Sequence, residues 1–253
     1  MLRVLILGGT TEASALARLL VGDGRFEPTL SLAGRTKAPV LPPVAWRIGG
    51  FGGVTGLAEY LGVNKVDALV DATHPFAAQM TRHACEAATL AGVRLLRINR
   101  PEWRPVAGDR WLQVPDMPAA AHALGSVRQR VLLTIGQQDL APFVAASWHD
   151  YVIRSVDAPA AESLPARAVV ITARGPFAEQ GERELMVARK ITVLVTKNSG
   201  GSATAAKLAA ARELGLPVII VKRPPVPVVN TVTDAPEALA WLVHQAVSTR
   251  RGV

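Results

Sequence analysis

The sequence predicts an α/β protein of two Rossmann-like, three-layer domains, each with a mostly parallel sheet, and a cleft between the two. Short apolar segments that end in glycine or polar residues alternate along the chain with longer segments that have helical apolar spacing. This alternation is typical of βαβ units, which form parallel sheets covered by helices on both faces. The 253 residues, of which 49% are hydrophobic and 19% charged, are enough for two domains of about 100–150 residues.

The first half of the chain shows the alternation most clearly. Helical spacing of Ala13, Leu16, Ala17 and Leu20 predicts a helix after the first strand. A second helix is predicted to begin at Pro75, because proline is favoured in the first turn of a helix. The predicted strands cover residues 3–7, 29–32, 67–70 and 93–98. Residues 1–98 are therefore interpreted as an N-terminal dinucleotide-binding domain.

The second half repeats the pattern after an interruption. Residues 99–118, which are rich in proline and tryptophan, are interpreted as a crossover linker, and residues 119–253 as a C-terminal substrate domain. An Ala-rich helix is predicted over residues 202–214, and a final helix begins at Asp234 with Glu237 three residues later. The predicted strands cover residues 131–134, 151–156, 168–172, 191–196 and 217–221.

Composition narrows the classes of function. Lys and Arg exceed Asp and Glu by 28 to 20, so the net charge is +8, which favours an anionic small molecule. No pattern of a nucleic-acid-binding motif accompanies the basic residues, no metal-ligand spacing occurs, and the apolar runs are too short to span a membrane. Cys85 is the single cysteine, and the first residues lack the pattern of a signal peptide, so we expect none. We therefore expect a cytoplasmic protein with neither nucleic-acid nor membrane partners.

The turn after the first strand predicts a phosphate site. Gly8 and Gly9 allow a close approach of the backbone to an anion, and the following helix N-terminus favours negative charge. Thr10, Thr11 and Glu12 open that helix, and the two hydroxyls can donate to phosphate. A purely structural turn is the alternative.

The end of the second strand indicates which dinucleotide binds. Enzymes that use NAD usually place Asp or Glu there for the ribose hydroxyls. This chain has Arg35, Thr36 and Lys37 instead, which suits a 2′-phosphate and therefore NADPH. A basic surface turn is the alternative.

The third loop follows the strand at residues 67–70. Thr73 and His74 are expected at the carboxyl edge of the sheet, where open α/β sheets bind ligands. Asp71 is interpreted as a residue that fixes the loop and not as a base. A helix start with a solvated His74 is the alternative.

In the second half, further strand-end loops carry cations. Lys197 precedes Ser199, Gly200 and Gly201, a glycine-rich turn that can cradle an anion although its spacing is not that of a P-loop. Arg174 and Lys222 follow two other strands. Together these loops predict a face for a ligand with many carboxylates, and each alone can also be a solvated turn.

In order and spacing, several of these segments resemble the precorrin-6A reductase family of cobalamin biosynthesis. They are residues 6–12 (ILGGTTE), 71–76 (DATHPF), 100–103 (RPEW), 134–136 (TIG) and 197–201 (KNSGG). The resemblance implies NADPH as cofactor, an anionic tetrapyrrole as substrate, and reduction of one carbon–carbon double bond to give precorrin-6B. It places residues 9–12, 35 and 36 at the cofactor, and His74 and residues 197–201 on loops that face the cleft.

The residues leave the proton donor and the class of protein open. His74, Lys197 or water can supply the proton that must follow the hydride. The alternatives to this reductase are another NADPH reductase of an anionic small molecule, a transferase that uses a nucleotide sugar or S-adenosylmethionine, and a non-catalytic NADPH sensor.

We expect Arg35→Ala to weaken the binding of NADPH at least about tenfold, because a charge-assisted hydrogen bond to phosphate contributes about 1.5–3 kcal/mol. The affinity for NADH, which lacks the 2′-phosphate, should change little. Fluorescence titrations of the variant with both cofactors measure this difference. An equal loss for both would contradict the assignment of Arg35 to the 2′-phosphate.

Overall fold

The computed structural model describes residues 1–34 and 41–251, with no side-chain description beyond residue 247. Within these residues the chain forms two compact units, Met1–Pro101 with Pro225–Val253, and Glu102–Pro224. Each unit contains one six-stranded sheet, and every strand pairing described is parallel. The α/β class with two parallel sheets is confirmed. Among the described residues, no helix is long and apolar enough to cross a membrane.

The first unit has the strand order of a dinucleotide-binding Rossmann sheet. Its strands are β1 (Leu2–Leu7), β2 (Phe26–Leu32), β3 (Ala45–Ile48), β4 (Ala68–Asp71), β5 (Arg94–Ile98) and β12 (Thr231–Val232), and its helices are α1 (Thr11–Leu19), α2 (Gly53–Val63), α3 (Ala78–Ala91) and α8 (Ala235–Arg251). The spatial order is β12-β5-β4-β1-β2-β3. This order reverses between β1 and β4, which is where such sheets bind ligands.

The second unit has a related sheet in the order β6-β11-β10-β7-β8-β9. Its strands are β6 (Arg110–Val114), β7 (Arg130–Thr134), β8 (Asp150–Ser155), β9 (Ala168–Thr172), β10 (Val193–Lys197) and β11 (Pro217–Val221), and its helices are α4 (Met117–Ala123), α5 (Ala141–Ala145), α6 (Glu179–Ala188) and α7 (Ala206–Glu213). Here the central neighbours are β10 and β7.

The cores explain why these elements form. Four of the last five residues of β1 are buried because helices cover both faces of a central parallel strand. On one face, Leu16 and Leu20 pack with Leu242 of α8. On the other face, Leu57 and Leu61 of α2 pack in a separate cluster.

The unit boundaries differ from the predicted domains at two places. The predicted linker, 99–118, contains β6, which pairs in parallel with β11, and the start of α4. The final helix, predicted in the C-terminal domain, belongs to the first unit because Ala238 and Leu242 are buried against the β1 sheet. The predicted cap of this helix is confirmed, since the Asp234 carboxylate accepts the N–H of Glu237 and the Glu237 carboxylate accepts the N–H of Thr233.

Two predicted helices begin later than expected. The second predicted helix, α3, starts at Ala78 and not at Pro75, because the Ala77 N–H closes a separate turn onto the His74 carbonyl (2.7 Å). In the second unit, α7 starts at Ala206 and not at Ser202, since turns occupy residues 202–205. The loop after β10 is therefore longer than predicted.

The buried His149 ring makes stability depend on pH. Its Nδ1 accepts the N–H of Gln129 (3.1 Å) and the residue is fully buried. Burial lowers the pKa of His149 from its ordinary 6.5, although the Gly125 carbonyl and Asp150 partly oppose this shift. Below pH 6.5 the unfolded chain therefore takes up a proton that the native ring resists, and stability is lost as the pH falls from 6.5 through the lowered pKa.

We expect the free energy of unfolding of the wild type to decrease between about pH 7.5 and pH 5. His149→Asn, whose amide oxygen can replace Nδ1 as the acceptor, should lose this part of the pH dependence even if it is less stable throughout. Urea unfolding of both proteins across the range measures the two slopes. Parallel slopes would show that His149 does not carry the effect.

Candidate active site

The Gly8–Thr10 turn connects β1 to α1 at the point where the first sheet reverses its order. The Gly8 N–H donates to the Ser31 carbonyl of β2 (2.8 Å). A Cβ on Gly8 would lie 2.7 Å from Leu30 Cδ1, so a side chain here would displace the Leu30 side chain. Gly8 therefore packs against β2, and its amide is already used.

Gly9 is the open position of this turn. Its φ of +116° is in a region that L side chains rarely adopt, and no atom lies within 4 Å of the place where a Cβ would stand. The next amides, of Thr11 and Glu12, belong to the first turn of α1 and have no intrahelical acceptor. Open space over Gly9 beside these donors fits the pyrophosphate of a dinucleotide.

The hydroxyl of Thr10 holds two strand-end loops together. It donates to the Ala72 carbonyl (2.7 Å) and accepts the N–H of Ala13 (3.2 Å), so it caps α1. Its only proton is thereby committed inside the protein. The expectation that Thr10 donates to phosphate is therefore wrong for this conformation, and Thr10 shapes the site.

Thr11 and Glu12 are likewise engaged. The Thr11 hydroxyl donates to the Glu12 carboxylate (3.1 Å), which also accepts from Arg100 (2.8 Å). Sequence reasoning did not identify Arg100 as a site residue, although it lies in the 100–103 segment. Because the guanidinium neutralises Glu12, the acidic side chain does not oppose an anion at the start of α1.

The loop after β4 is built on Asp71, which is 1% exposed. Its carboxylate accepts the Thr73 N–H (3.1 Å) and the hydroxyls of Thr73 (2.6 Å) and Thr81 (2.7 Å). The interpretation of Asp71 as a residue that fixes the loop is confirmed. His74 follows, half-buried, and its Nδ1 accepts the N–H of Phe76 (3.3 Å). The first unit thus brings Gly9, Thr11, Thr73 and His74 to one edge.

The predicted 2′-phosphate residues Arg35, Thr36 and Lys37 lie outside the described residues. The neighbouring cation at the end of β2 is Arg47 of β3, which sequence reasoning missed. Arg47 donates to the Ser31 hydroxyl (2.8 Å) and to the Gly49 and Gly50 carbonyls (both 3.0 Å), and its guanidinium carbon lies 3.9 Å from the centroid of the Phe51 ring. Arg47 therefore holds the end of β2 in place.

In the second unit, the end of β10 contacts the loop after β7 through an ion pair. Lys197 Nζ lies 2.5 Å from a carboxylate oxygen of Asp139, and the lysine side chain is 15% exposed. The Lys197 ammonium is therefore held by the carboxylate of Asp139, a residue that sequence reasoning did not single out. Gly200 and Gly201 follow with φ of +67° and +75°.

The other predicted substrate residues lie at strand ends of the same sheet. Arg174 and Lys222 are exposed, after β9 and β11. Lys222 lines a pocket of about 210 Å³ together with Gln113, Asn198 and Arg223. Among the described residues of the chain, no group of three or more His, Cys, Asp or Glu side chains could hold a metal ion.

The first unit's strand order and glycine turn define the class, an α/β protein with a Rossmann-type nucleotide-binding unit. The profile of the precorrin-6x reductase CbiJ/CobK family matches residues 3–243, and the chain belongs to this family. It is thus an oxidoreductase of cobalamin biosynthesis, as the motifs predicted.

Relatives and a solved structure agree with this assignment. The chain is 50% identical over 255 residues to the precorrin-6A reductase of Rhodobacter capsulatus, with both chains fully covered. It is 49% identical to that of Rhodococcus erythropolis, which covers 96% of this chain and 98% of the relative. A solved structure of a CobK precorrin-6A reductase superposes with a TM-score of 0.92 at 49% identity and covers 97% of each chain.

We expect Gly9→Val to abolish cofactor binding, because the side chain would occupy the open space over the turn. The circular dichroism spectrum should remain near-native. Gly22→Val is the matched control, since Gly22 also has a positive φ (+74°) and open space around its Cβ position but lies in a turn after α1. Titration with NADPH measures the affinity of each variant. Equal affinities would show that Gly9 has only a structural role.

Proposed function

We propose that this protein reduces one carbon–carbon double bond of metal-free precorrin-6A with NADPH to give precorrin-6B. Family membership carries the proposal, supported by relatives of 42–50% identity that are precorrin-6A reductases. Relatives that are cobalt-precorrin-6A reductases, such as that of Priestia megaterium, are only 28–29% identical. The difference in identity favours the macrocycle without cobalt.

NADPH is proposed to bind along the carboxyl edge of the first sheet. Gly9 and the amides of Thr11 and Glu12 hold the pyrophosphate, and Arg35, Thr36 and Lys37 hold the 2′-phosphate. Thr73, in the loop that Thr10 ties to the glycine turn, is a further contact. When bound, the cofactor supplies the hydride, which is chemistry that the protein side chains lack.

The residues of the protein then bind and orient the substrate. Precorrin-6A is an anionic tetrapyrrole, and the +8 net charge attracts such a ligand and speeds its encounter. The loop Ser199–Gly201 and the cations Arg174 and Lys222 are proposed to bind its carboxylates, although the Ser199 amide itself donates to the Lys197 carbonyl (2.8 Å). Holding both reactants in a fixed orientation can lower the barrier by several kcal/mol.

A proton must reach the carbon next to the one that receives the hydride. His74 and Lys197 are the proposed donors. Lys197 is held by Asp139, so the carboxylate can orient the ammonium and stabilise its charge. His74 presents Nδ1 to the Phe76 amide, which in the neutral ring leaves the proton on Nε2.

Loss of NADPH absorbance that depends on added precorrin-6A tests the activity. A sensor would bind NADPH without consuming it, and a reductase of another anionic molecule would leave precorrin-6A unchanged. NADH in place of NADPH tests the cofactor, and cobalt-precorrin-6A in place of precorrin-6A tests the metal content of the substrate. Equal rates with the two macrocycles would contradict a preference for the metal-free form.

We expect Lys197→Ala to lower kcat/KM for precorrin-6A at least about tenfold, whereas a solvated lysine would cost at most about 0.5 kcal/mol. A rise in KM alone would indicate that Lys197 binds the substrate. A fall in kcat would indicate that it transfers the proton or stabilises charge. Lys190→Ala, at an exposed lysine of the same unit, is the control. Wild-type kcat and KM in a correctly folded Lys197→Ala protein would remove this residue from the site.

A further inference from the structure

The loop between β10 and α7 is held by its carbonyl oxygens. These carbonyl oxygens accept hydrogen bonds from side chains outside the loop and from one side chain at the start of α7. The bonds are Arg223 Nε to Asn198 O (3.0 Å), Arg223 Nη2 to Ser199 O (3.1 Å), Trp103 Nε1 to Gly201 O (2.8 Å) and Lys207 Nζ to Thr204 O (2.8 Å).

The donors are themselves fixed. The Asn198 side chain accepts the Trp103 N–H (2.9 Å) and donates to the Trp103 carbonyl (3.1 Å), so the backbone of residue 103 is locked to the loop. Lys207 is 4% exposed and its Nζ lies 4.8 Å from the centroid of a Trp103 ring. The Arg223 side chain is 10% exposed. These side chains form a rigid support behind the loop.

Locked carbonyls determine where the amides point. A trans peptide unit directs its N–H opposite to its C=O. The bond from Arg223 to the Ser199 carbonyl therefore turns the Gly200 N–H away from the support, and the bond from Trp103 to the Gly201 carbonyl does the same for the Ser202 N–H. Within the described part of the chain, neither amide has an acceptor.

Such an arrangement is built for an anion. Backbone N–H groups of a turn that point to one side can bind negatively charged oxygens, and Gly200 and Gly201 allow this turn because both have positive φ values. Because α7 begins only at Ala206, the start of that helix does not account for the predicted anion site. The locked amides account for it instead.

We propose that Trp103 and Arg223 are positioning residues, which preset the amides of Gly200 and Ser202 to receive a carboxylate of the substrate. This rests on the proposed function, in which the loop binds the macrocycle. Preorganised donors improve affinity because little order remains to be imposed on binding. The two side chains act through the loop backbone and need not touch the substrate.

Trp103→Phe tests the proposal, since it removes the indole N–H and keeps most of the aromatic packing. We expect the KM for precorrin-6A to rise about fivefold, which corresponds to the loss of one neutral hydrogen bond, with kcat and NADPH affinity unchanged. The dissociation constant of precorrin-6A without cofactor, from the change in its absorption spectrum, should rise by the same factor.

The matched control is Trp148→Phe. Its indole N–H donates to the Gly125 carbonyl (3.1 Å), which is the same bond at another loop of the unit. This variant should show wild-type KM and, because Trp148 is 46% exposed, a smaller change in Tm than Trp103→Phe. Arg223→Lys, which keeps the charge but cannot span two carbonyls, should raise KM as Trp103→Phe does. If Trp103→Phe lowers Tm but keeps the wild-type KM, as Trp148→Phe does, Trp103 has only a structural role and the proposal is wrong.

Gly201→Ala separates this proposal from the function on which it rests. A raised KM for Gly201→Ala with an unchanged KM for Trp103→Phe would overturn the positioning role alone. An unchanged KM for Gly201→Ala would overturn the assignment of the loop to the substrate, and the positioning role with it. Wild-type protein that does not reduce precorrin-6A would overturn the proposed function itself.

Discussion

In a parallel sheet all strands run in one direction, and their carboxyl ends therefore meet at a single edge. Both sheets of this protein obey this constraint in every described pairing, so segments far apart in sequence are gathered there. Residues 8–12 and 71–74 become neighbours because β1 pairs directly with β4. Lys197 reaches Asp139 because β10 pairs with β7. The candidate site follows from this topology before any side chain is considered.

The side chains at these edges mostly serve the protein itself. Thr10, Asp71 and Asn198 use their polar atoms to fix loops, since a polar group buried without a partner is costly. What remains available for a ligand is largely backbone, at Gly9, at the start of α1 and in the loop after β10. A backbone donor held by its neighbours costs little reorganisation on binding, which suits recognition of phosphate and carboxylate groups.

The C-terminal part of the chain, from Pro225 onward, belongs to the first unit, and helix α8 packs it there. The apolar stripe of α8 could be recognised in the sequence, but the stripe does not say which sheet it covers. Leu242 packs in one buried cluster with Leu16 and Leu20, on the face of the first sheet that α1 also covers. The short strand β12 comes with it, pairing with β5 through Thr231 and Val232.

By itself the sequence determined the α/β class, nine of the twelve strands described, the glycine turn and the family, because these depend on local periodicity and short motifs. It missed α2, whose glycines weaken the helical signal. A Cβ on Gly56 would lie 1.8 Å from the Phe51 carbonyl oxygen, so only packing explains that glycine. Only the tertiary structure decided which polar groups remain for a ligand: Thr10 is committed to Ala72, Glu12 to Arg100 and Lys197 to Asp139. These partners are 58 to 88 residues apart in sequence, and a local pattern cannot specify contacts that arise only when the strands pair.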